Sequence, residues 1–239
     1  MSDLKQAIQR EYLKCASDPV HFMRKYCYIQ HPQRGRIQFN LYPFQEKCLK
    51  EFKDNRYNII LKARQLGIST LSAGYSLWLM LFHNDKNILV IATGKDTAKN
   101  LVTKVRVMYE GLPQWLKTGT EEINKLSLRF KNGSQIKAIA SNESAGRSEA
   151  LSLLIIDEAA FIDRIDTIWT AAQQTLSTGG GAIVLSTPNG VGNWFHKIWL
   201  QGQSGEQWNP IELHWSVHPE RDQQWREQQT KLLGEKGAA

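Results

Sequence analysis

Short apolar runs alternate with amphipathic segments along most of the chain. The runs cover residues 57–62, 87–93, 151–157, 182–187 and 211–215, and each precedes a segment with apolar residues at helical spacing. Unbroken apolar runs of this length are typical of strands that are buried on both faces. Strands that alternate with helices predict an α/β fold in which helices cover both sides of a mainly parallel sheet.

Two regions depart from this alternation. Residues 1–35 predict one or two helices that end in the turn-rich segment HPQRGR. Between residues 126 and 140, two short runs flank Asn132-Gly133 and predict a β-hairpin, because glycine accepts the positive φ of a tight turn. We expect this hairpin to be an insertion or an antiparallel edge of the sheet. The other predicted helices cover residues 41–52, 69–82, 95–112, 167–176, 192–201 and 221–233.

The pattern also predicts how the chain is divided. No Pro- or Ser-rich linker and no internal repeat interrupts it. We expect a helical N-terminal appendage at residues 1–40, an α/β core at 41–208 and a C-terminal lid or linker at 209–239.

Composition narrows the class of protein. The chain has 239 residues, of which 41% are hydrophobic and 22% are charged, as in an ordinary globular protein. Its longest apolar run, residues 76–82, is far shorter than the roughly 20 residues of a membrane span. The charged N-terminus does not resemble a signal peptide, so we expect a cytoplasmic protein. Three cysteines without a CxxC pair predict free buried thiols.

Positive charge is concentrated at the N-terminal end. The net charge is +7, and residues 1–65 contain 13 Lys and Arg against 6 Asp and Glu, whereas the remaining residues contain 17 of each kind. A basic surface of this kind fits nucleic acid or nucleotide phosphates as a partner. A solvated basic helix without a partner gives the same composition.

Two acidic residues stand where a buried strand ends. The apolar run LLII is followed by Asp157 and Glu158, at the edge of the sheet where α/β proteins bind ligands. A carboxylate at this position can bind Mg²⁺ while its neighbour orients a water for attack on a γ-phosphate. A pair of acids that only caps the next helix is the alternative.

A candidate phosphate loop, KARQLGIST, follows the first apolar run. It matches the pattern G-x-x-x-x-G-K-[ST] in part, since Gly67 and Ser69 occupy the second glycine and the hydroxyl position. However, Lys62 replaces the first glycine and Ile68 replaces the lysine.

The loop nevertheless contains the groups that phosphate binding needs. Gly67 and Thr70 lie at the start of a predicted helix, whose free amides bind anions, and Ser69 supplies a hydroxyl for a metal. Arg64, with Lys62 as the alternative, supplies a cation over the β- and γ-phosphates. The candidate nucleotide-binding residues of this loop are Lys62, Arg64, Gln65, Leu66, Gly67, Ile68, Ser69 and Thr70.

The order and spacing of these motifs resemble one family. The sequence is similar to the N-terminal ATPase domain of the large terminase subunit of tailed bacteriophages, of the T4-like type. The resemblance extends over nearly the whole chain and rests on the segments YCYIQHPQRGRIQFNLYPFQ, KARQLGIST, LLIIDEAAF, VLSTPNGVGNWF and RDQQW. It implies a P-loop NTPase fold of the ASCE or RecA-like type that hydrolyses ATP with Mg²⁺ to drive double-stranded DNA into a procapsid.

The resemblance also implies roles for individual residues. Gln45 resembles the glutamine that recognises adenine, and Tyr42 or Phe44 is expected to pack on the base. Asp157 resembles the Walker B magnesium ligand, and Glu158 resembles the catalytic base.

Two further motifs follow from the same resemblance. Ser186, Thr187, Pro188 and Asn189 resemble the coupling motif that transmits loss of the γ-phosphate. Arg147 resembles an arginine finger that a neighbouring subunit donates, so an isolated monomer is expected to hydrolyse ATP slowly.

The expected partners are those of a packaging motor. The family implies contacts with double-stranded DNA, the portal protein and the small terminase subunit, in a homo-oligomeric ring on the procapsid in the host cytoplasm. The isolated chain is expected to be a monomer without a membrane anchor. The basic residues Arg24, Lys25, Arg34 and Arg36 are candidates for contact with DNA or the procapsid. The acids after Glu158 do not form the cluster of a terminase nuclease domain, so we expect a piece of a longer protein, without nuclease activity.

Two other classes of protein share some of these motifs. A helicase-like translocase also has an aromatic-glutamine motif, a phosphate loop, adjacent Asp and Glu, and a Ser-Thr motif, but it requires a second RecA-like domain. A degenerate nucleotide-binding module is compatible with Ile68 in place of the usual lysine. Phosphate release that depends on Glu158 distinguishes an enzyme from such a module.

Overall fold

The computed structural model describes residues 2–31, 33–141 and 149–238. The helices of this part of the chain are α1 Ser2–Ser17, α2 Pro19–Tyr26, α3 Pro43–Asp54, α4 Ile68–Phe82, α5 Lys95–Gly111, α6 Ile165–Thr175, α7 Trp194–Gln203 and α8 Gln223–Ala238. The strands are β1 Tyr28–His31, β2 Gly35–Gln38, β3 Tyr57–Lys62, β4 Asn87–Ala92, β5 Thr120–Ile123, β6 Ser127–Phe130, β7 Gln135–Ala140, β8 Leu153–Asp157, β9 Gly181–Ser186 and β10 Asn209–Leu213.

One eight-stranded sheet organises the molecule. Its strand order is β10-β3-β9-β8-β4-β7-β6-β5. Neighbouring strands from β10 to β7 are parallel, and β6 and β5 complete the edge in antiparallel pairing. The predicted α/β fold with a mainly parallel sheet is confirmed.

Helices cover both faces of this sheet. On one face, buried side chains of α1 to α5 pack on the sheet, and on the other face side chains of α6 and α7 do so. The central strands are therefore apolar on both faces, and β8 is buried from Leu153 to Asp157. This burial explains why the strands are unbroken apolar runs in the sequence.

The predicted hairpin belongs to the main sheet. β6 and β7 pair in antiparallel orientation, and Gly133 in the turn between them has φ +81°. However, β7 also pairs in parallel with β4, so this segment extends the central sheet rather than forming a separate insertion. The short strand β5 was not predicted, because three of its four side chains are exposed and it lacks an apolar run.

The N-terminal helices α1 and α2, predicted as an appendage, pack into the core of the protein. Cys15, Phe22 and Met23 are fully buried in the same core cluster as α4. Glu11 accepts hydrogen bonds from Lys25 at 2.9 Å and from His21 at 2.7 Å, which joins α1 to α2 and lowers the pKa of Glu11 to about 2. A hairpin, β1 and β2, follows these helices where the sequence predicted only a turn-rich segment.

The predicted boundary between residues 208 and 209 falls one strand too early. β10 pairs in parallel with β3 and is the edge strand of the main sheet, so the sheet extends to Leu213. The chain then crosses a short 3-10 turn at Trp215–Val217 and enters α8.

Two smaller expectations concern cysteines and membrane spans. Cys15, Cys27 and Cys48 are free and buried, as predicted. Among the described residues, no helix combines the length and the apolar character that a membrane crossing requires.

We predict that Phe22→Ala destabilises the whole protein. The Phe22 ring is fully buried and meets Phe82 edge-on, with 5.3 Å between ring centroids. Truncation of a buried Phe typically costs about 3–5 kcal/mol of unfolding free energy. Urea denaturation followed by tryptophan fluorescence measures this cost.

Leu13→Ala is the matched control on α1, because the Leu13 side chain is 59% exposed. Its effect is expected to stay within about 0.5 kcal/mol. Equal effects of the two substitutions would contradict the assignment of the N-terminal helices to the core.

Candidate functional site

Three adjacent parallel strands end at the same edge of the sheet. β3 ends at Lys62, β8 ends at Asp157, and β9 ends at Ser186 between them. This arrangement brings together residues that are far apart in the sequence. The Lys62 ammonium donates a hydrogen bond to Oε1 of Glu158 at 2.7 Å and forms an ion pair with it.

Glu158 is held by contacts from both neighbouring strand ends. Its backbone has φ +54°, an uncommon conformation that turns the chain immediately after β8. Oε2 accepts hydrogen bonds from the Thr187 backbone N–H at 3.0 Å and from the Thr187 hydroxyl at 3.2 Å. Burial alone would raise the pKa of Glu158, but Lys62 and the two Thr187 bonds together lower it. The carboxylate is therefore ionised at neutral pH.

Asp157 has a different environment although it is the adjacent residue. Its side chain is buried, and Oδ1 has no hydrogen-bond partner among the described residues. Burial raises the pKa of Asp157, and the nearby Ser69 hydroxyl and Lys62 charge offset only part of this effect. A buried carboxylate oxygen without a partner, beside a hydroxyl, forms an all-oxygen donor set of the kind that Mg²⁺ prefers.

The phosphate loop connects β3 to α4. Gln65 and Gly67 have positive φ values of 59° and 74°, and Gly67 is the N-cap of α4. None of the backbone N–H groups of residues 64–67 donates a hydrogen bond to a described residue. Successive free amides at a helix N-terminus form an anion-binding concavity.

The structure distinguishes the two candidate cations of the loop. Lys62 is only 7% exposed, and its ammonium lies in the site beside Glu158. Arg64 is exposed, and no ion pair to a described residue involves its guanidinium. The geometry places Lys62 beside Glu158, and the role of Arg64 as the cation over the phosphates stays a prediction. Ile68, at the position of the usual lysine, is buried in the core.

Among the predicted adenine-recognition residues, Gln45 contacts the loop directly. Gln45 is buried, its Oε1 accepts a hydrogen bond from the Tyr42 N–H at 3.1 Å, and its Nε2 donates to the Leu66 carbonyl at 3.0 Å. The Tyr42 ring stacks on Phe44 and contacts His218. Both polar atoms of Gln45 are thus engaged within the chain, and its role in adenine recognition stays a prediction.

The predicted coupling motif contacts the acidic site. Ser186 accepts a hydrogen bond from the Ala160 N–H at 3.1 Å, and the Asn189 amide donates to the Ala160 carbonyl at 2.9 Å. Together with the Thr187 bonds, these contacts tie the end of β9 to the turn that carries Glu158. Pro188 is exposed beside this turn. The role of these residues in coupling stays a prediction.

Sequence reasoning missed one cation near the site. Lys104 on α5 lines a cavity of about 440 Å³ together with Thr70. Burial lowers the pKa of Lys104, the charge of Asp157 opposes this shift, and the charge of Lys62 adds to it. The sequence contained a signal for this lysine, namely its position next to the apolar stripe of α5. That stripe contains Leu101, Val105 and Met108.

The remaining candidates are placed as follows. Arg147 lies outside the described residues. Arg24 forms an ion pair with Glu46, Lys25 forms one with Glu11, and the Arg36 guanidinium lies over the Tyr28 ring. Contact of the basic N-terminal residues with DNA or a procapsid stays a prediction.

Comparisons with known proteins relate the chain to one family. The family described as terminase large subunit, T4likevirus-type, N-terminal, matches residues 59–232, which is more than half of the chain. The large terminase subunit of Thermus phage G20c is 27% identical over 161 residues, which are 59% of this chain and 33% of that protein. The chain therefore spans about a third of the length of this curated relative.

Solved structures share the fold. The large terminase ATPase domain of Thermus phage P74-26 superimposes with a TM-score of 0.66 at 21% identity, covering 84% of this chain and 91% of that chain. A large terminase from a thermophilic bacteriophage, solved in complex with ATP-gamma-S, superimposes with a TM-score of 0.62 at 16% identity, covering 81% of this chain and 49% of that chain. The predicted P-loop NTPase fold is confirmed.

We predict that Lys62→Met raises the pKa of Glu158. The substitution removes the opposite charge and a hydrogen bond at 2.7 Å, while the burial that raises the pKa remains. In the wild type, the lowered pKa of Glu158 contributes stability at neutral pH that is lost as the pH falls through the folded-state pKa. The difference in unfolding free energy between wild type and variant should therefore be largest at neutral pH and shrink in acid. Carboxyl NMR titration and urea denaturation measure the two effects.

Arg64→Met is the matched control, because it removes the same charge two residues further along the same loop. We expect it to leave the pKa of Glu158 unchanged. An equal shift in both variants would contradict the assignment of Lys62 as the local counter-charge.

Proposed function

This chain belongs to the N-terminal family of T4-like terminase large subunits, and we propose that it is the ATPase domain of a viral DNA-packaging motor. The observation that carries the proposal is the convergence of a phosphate loop, a buried carboxylate with a free oxygen and an ionised glutamate at one edge of the sheet. Each corresponds to one requirement of ATP hydrolysis, namely phosphate binding, metal binding and orientation of water.

We infer that the triphosphate of ATP binds to the loop between β3 and α4. The free amides of residues 64–67 and the helix N-terminus face the negative charge of the phosphates. The similar large terminase solved with ATP-gamma-S supports a nucleotide ligand. We propose that Tyr42, Phe44 and Gln45 contact the base, because Gln45 donates to the Leu66 carbonyl of the loop and the Tyr42 ring stacks on Phe44.

Asp157 and Ser69 are the residues proposed to bind Mg²⁺. The buried Oδ1 of Asp157 is oriented without a competing partner, and the Ser69 hydroxyl lies beside it. A Mg²⁺ ion held by these two residues would supply charge neutralisation and polarisation of the terminal phosphoryl group.

Glu158 is proposed to orient the attacking water and to accept its proton. Its lowered pKa keeps it ionised, and Thr187 fixes the carboxylate from the side of β9. Lys62 binds Oε1 of the same carboxylate, so phosphate oxygens of ATP would compete with Glu158 for the ammonium. Transfer of Lys62 to the phosphates would stabilise their charge and leave Oε1 available for water.

The further steps of a packaging motor are proposals that rest on family membership. Ser186, Thr187, Pro188 and Asn189 would transmit loss of the γ-phosphate, because the bonds of this motif to Ala160 and Glu158 join the β9 end to the hydrolytic residues. Residues after Leu213 would form the lid. The partners would be double-stranded DNA, the portal protein, the small terminase subunit and further copies of this chain in a ring, with Arg147 acting on the neighbouring subunit.

We predict that Glu158→Gln and Asp157→Asn impair different steps. Loss of the base in Glu158→Gln should reduce the turnover of Mg-ATP by about 10²–10⁴-fold while ATP binding persists. Loss of the metal-binding carboxylate in Asp157→Asn should remove the increase in ATP affinity that Mg²⁺ produces. Phosphate release and titration with a fluorescent nucleotide, with and without Mg²⁺, measure these effects.

Asp163→Asn is the control, because Asp163 is an exposed acid close to the same strand end. It should behave as the wild type. A wild type that binds Mg-ATP without releasing phosphate would favour a degenerate binding module, and a wild type that binds no nucleotide would contradict the proposal.

We predict that Arg147 acts between subunits. The ATP turnover per chain should rise with protein concentration. In the assembled state, Arg147→Ala should turn over ATP about 10³–10⁵-fold more slowly than the wild type. Mixing Arg147→Ala with Glu158→Gln should restore activity, since the Glu158→Gln chain supplies the finger and the Arg147→Ala chain supplies the base. Arg129→Ala, a substitution of an exposed arginine on β6, is the control. Turnover that is independent of concentration and not restored by mixing would exclude action in trans.

A further inference from the structure

Three successive carbonyls of the phosphate loop are bound from outside the loop. The Arg221 guanidinium donates to the Arg64 carbonyl through Nη1 at 3.0 Å and to the Gln65 carbonyl through Nη2 at 3.1 Å. The Gln45 amide donates to the next carbonyl, that of Leu66, at 3.0 Å. The donors come from opposite ends of the chain, and Arg221 lies 157 residues after Arg64.

Peptide geometry links these carbonyls to the amides of the loop. In a trans peptide the C=O and the following N–H point in opposite directions, and this chain has no cis peptide among the described residues. Each carbonyl of residues 64–66 that is bound from outside the loop therefore directs the N–H group of the next residue away from its donor. These are the amides that have no hydrogen-bond partner among the described residues.

The loop conformation needs such support. Gln65 has φ +59°, which costs a non-glycine residue free energy unless the surroundings stabilise it. The carbonyl of this same residue accepts one of the two Arg221 bonds. Arginine suits the position, because its planar fork spans two acceptors with a fixed spacing.

Arg221 is itself held in place. Its guanidinium lies over the Trp225 ring at 4.7 Å, and Asp222 accepts a hydrogen bond from the Trp225 N–H at 2.8 Å at the start of α8. One turn earlier, the His218 ring contacts Tyr42, which precedes α3. The segment that carries the guanidinium is therefore held by contacts with Trp225 and Tyr42.

We propose that Arg221 is a positioning residue for phosphate binding, which aligns the amides of residues 65 and 66 by binding the carbonyls of Arg64 and Gln65. The proposal rests on the proposed function of this loop as the triphosphate site. Arg221 acts through the backbone and touches no phosphate itself. The segment that follows β10 thereby becomes part of the nucleotide site, and a displacement of this segment would weaken phosphate binding.

Tripolyphosphate tests the proposal, because it contains the phosphate chain of ATP without the base. Its affinity is measured by isothermal titration calorimetry on the full chain with Mg²⁺, for the wild type, Arg221→Met and Arg221→Lys. Two charge-assisted hydrogen bonds align the loop, so we expect Arg221→Met to bind about 10- to 100-fold more weakly. Arg221→Lys retains the charge but cannot span both carbonyls, so we expect it also to bind more weakly than the wild type.

Lys231→Met is the matched control, because it removes one exposed positive charge from α8, the helix that follows Arg221, without contact to the loop. It should bind as the wild type, and urea denaturation of each variant shows whether the fold is intact. Full binding by Arg221→Lys would overturn the proposal in favour of simple charge attraction, and full binding by Arg221→Met would overturn it outright. A wild type that binds neither tripolyphosphate nor ATP-gamma-S would refute the proposed function instead.

Discussion

The parallel pairing of β3, β9 and β8 is the constraint on which the candidate site depends. Parallel neighbours end at the same edge, so residues 62, 158 and 187 meet although they are distant in the chain. A shift of one residue in either pairing would turn the side chains to the opposite face and separate Lys62 from Glu158. Because both faces of these strands are buried under helices, the packing fixes the register.

Two adjacent acids acquire different properties at this edge. Asp157 belongs to the strand and retains a buried oxygen without a partner, and its pKa is raised by burial. Glu158 follows in a left-handed turn that directs its carboxylate to Lys62 and Thr187, and its pKa is lowered. Environments that separate the pKa values of neighbouring acids allow them to take separate chemical roles. The roles proposed for them are metal binding by Asp157 and the orientation of water by Glu158.

The phosphate loop reaches the expected geometry with an unusual sequence. The residue at the position of the usual lysine, Ile68, contributes to the core, and a cation from the end of β3 faces the site instead. Gln45 and Arg221 bind the loop carbonyls from two other elements. The backbone conformation of this loop is thus stabilised by tertiary contacts, which explains why a motif defined by local sequence matches it only in part.

Local physical chemistry in the sequence determined most of the helices and central strands and the place of the candidate site. Apolar runs predicted the central strands, helical spacing predicted α3 to α8, and the acids after a buried strand located the site at the sheet edge. Tertiary structure alone decided which loop cation faces Glu158, since Lys62 and Arg64 are two residues apart in one loop and their partners lie elsewhere. Tertiary structure alone also decided that β10 is an edge strand of the sheet and that Arg221 contacts the loop. These features depend on pairs separated by 96 to 157 residues, and periodicity reports only on near neighbours.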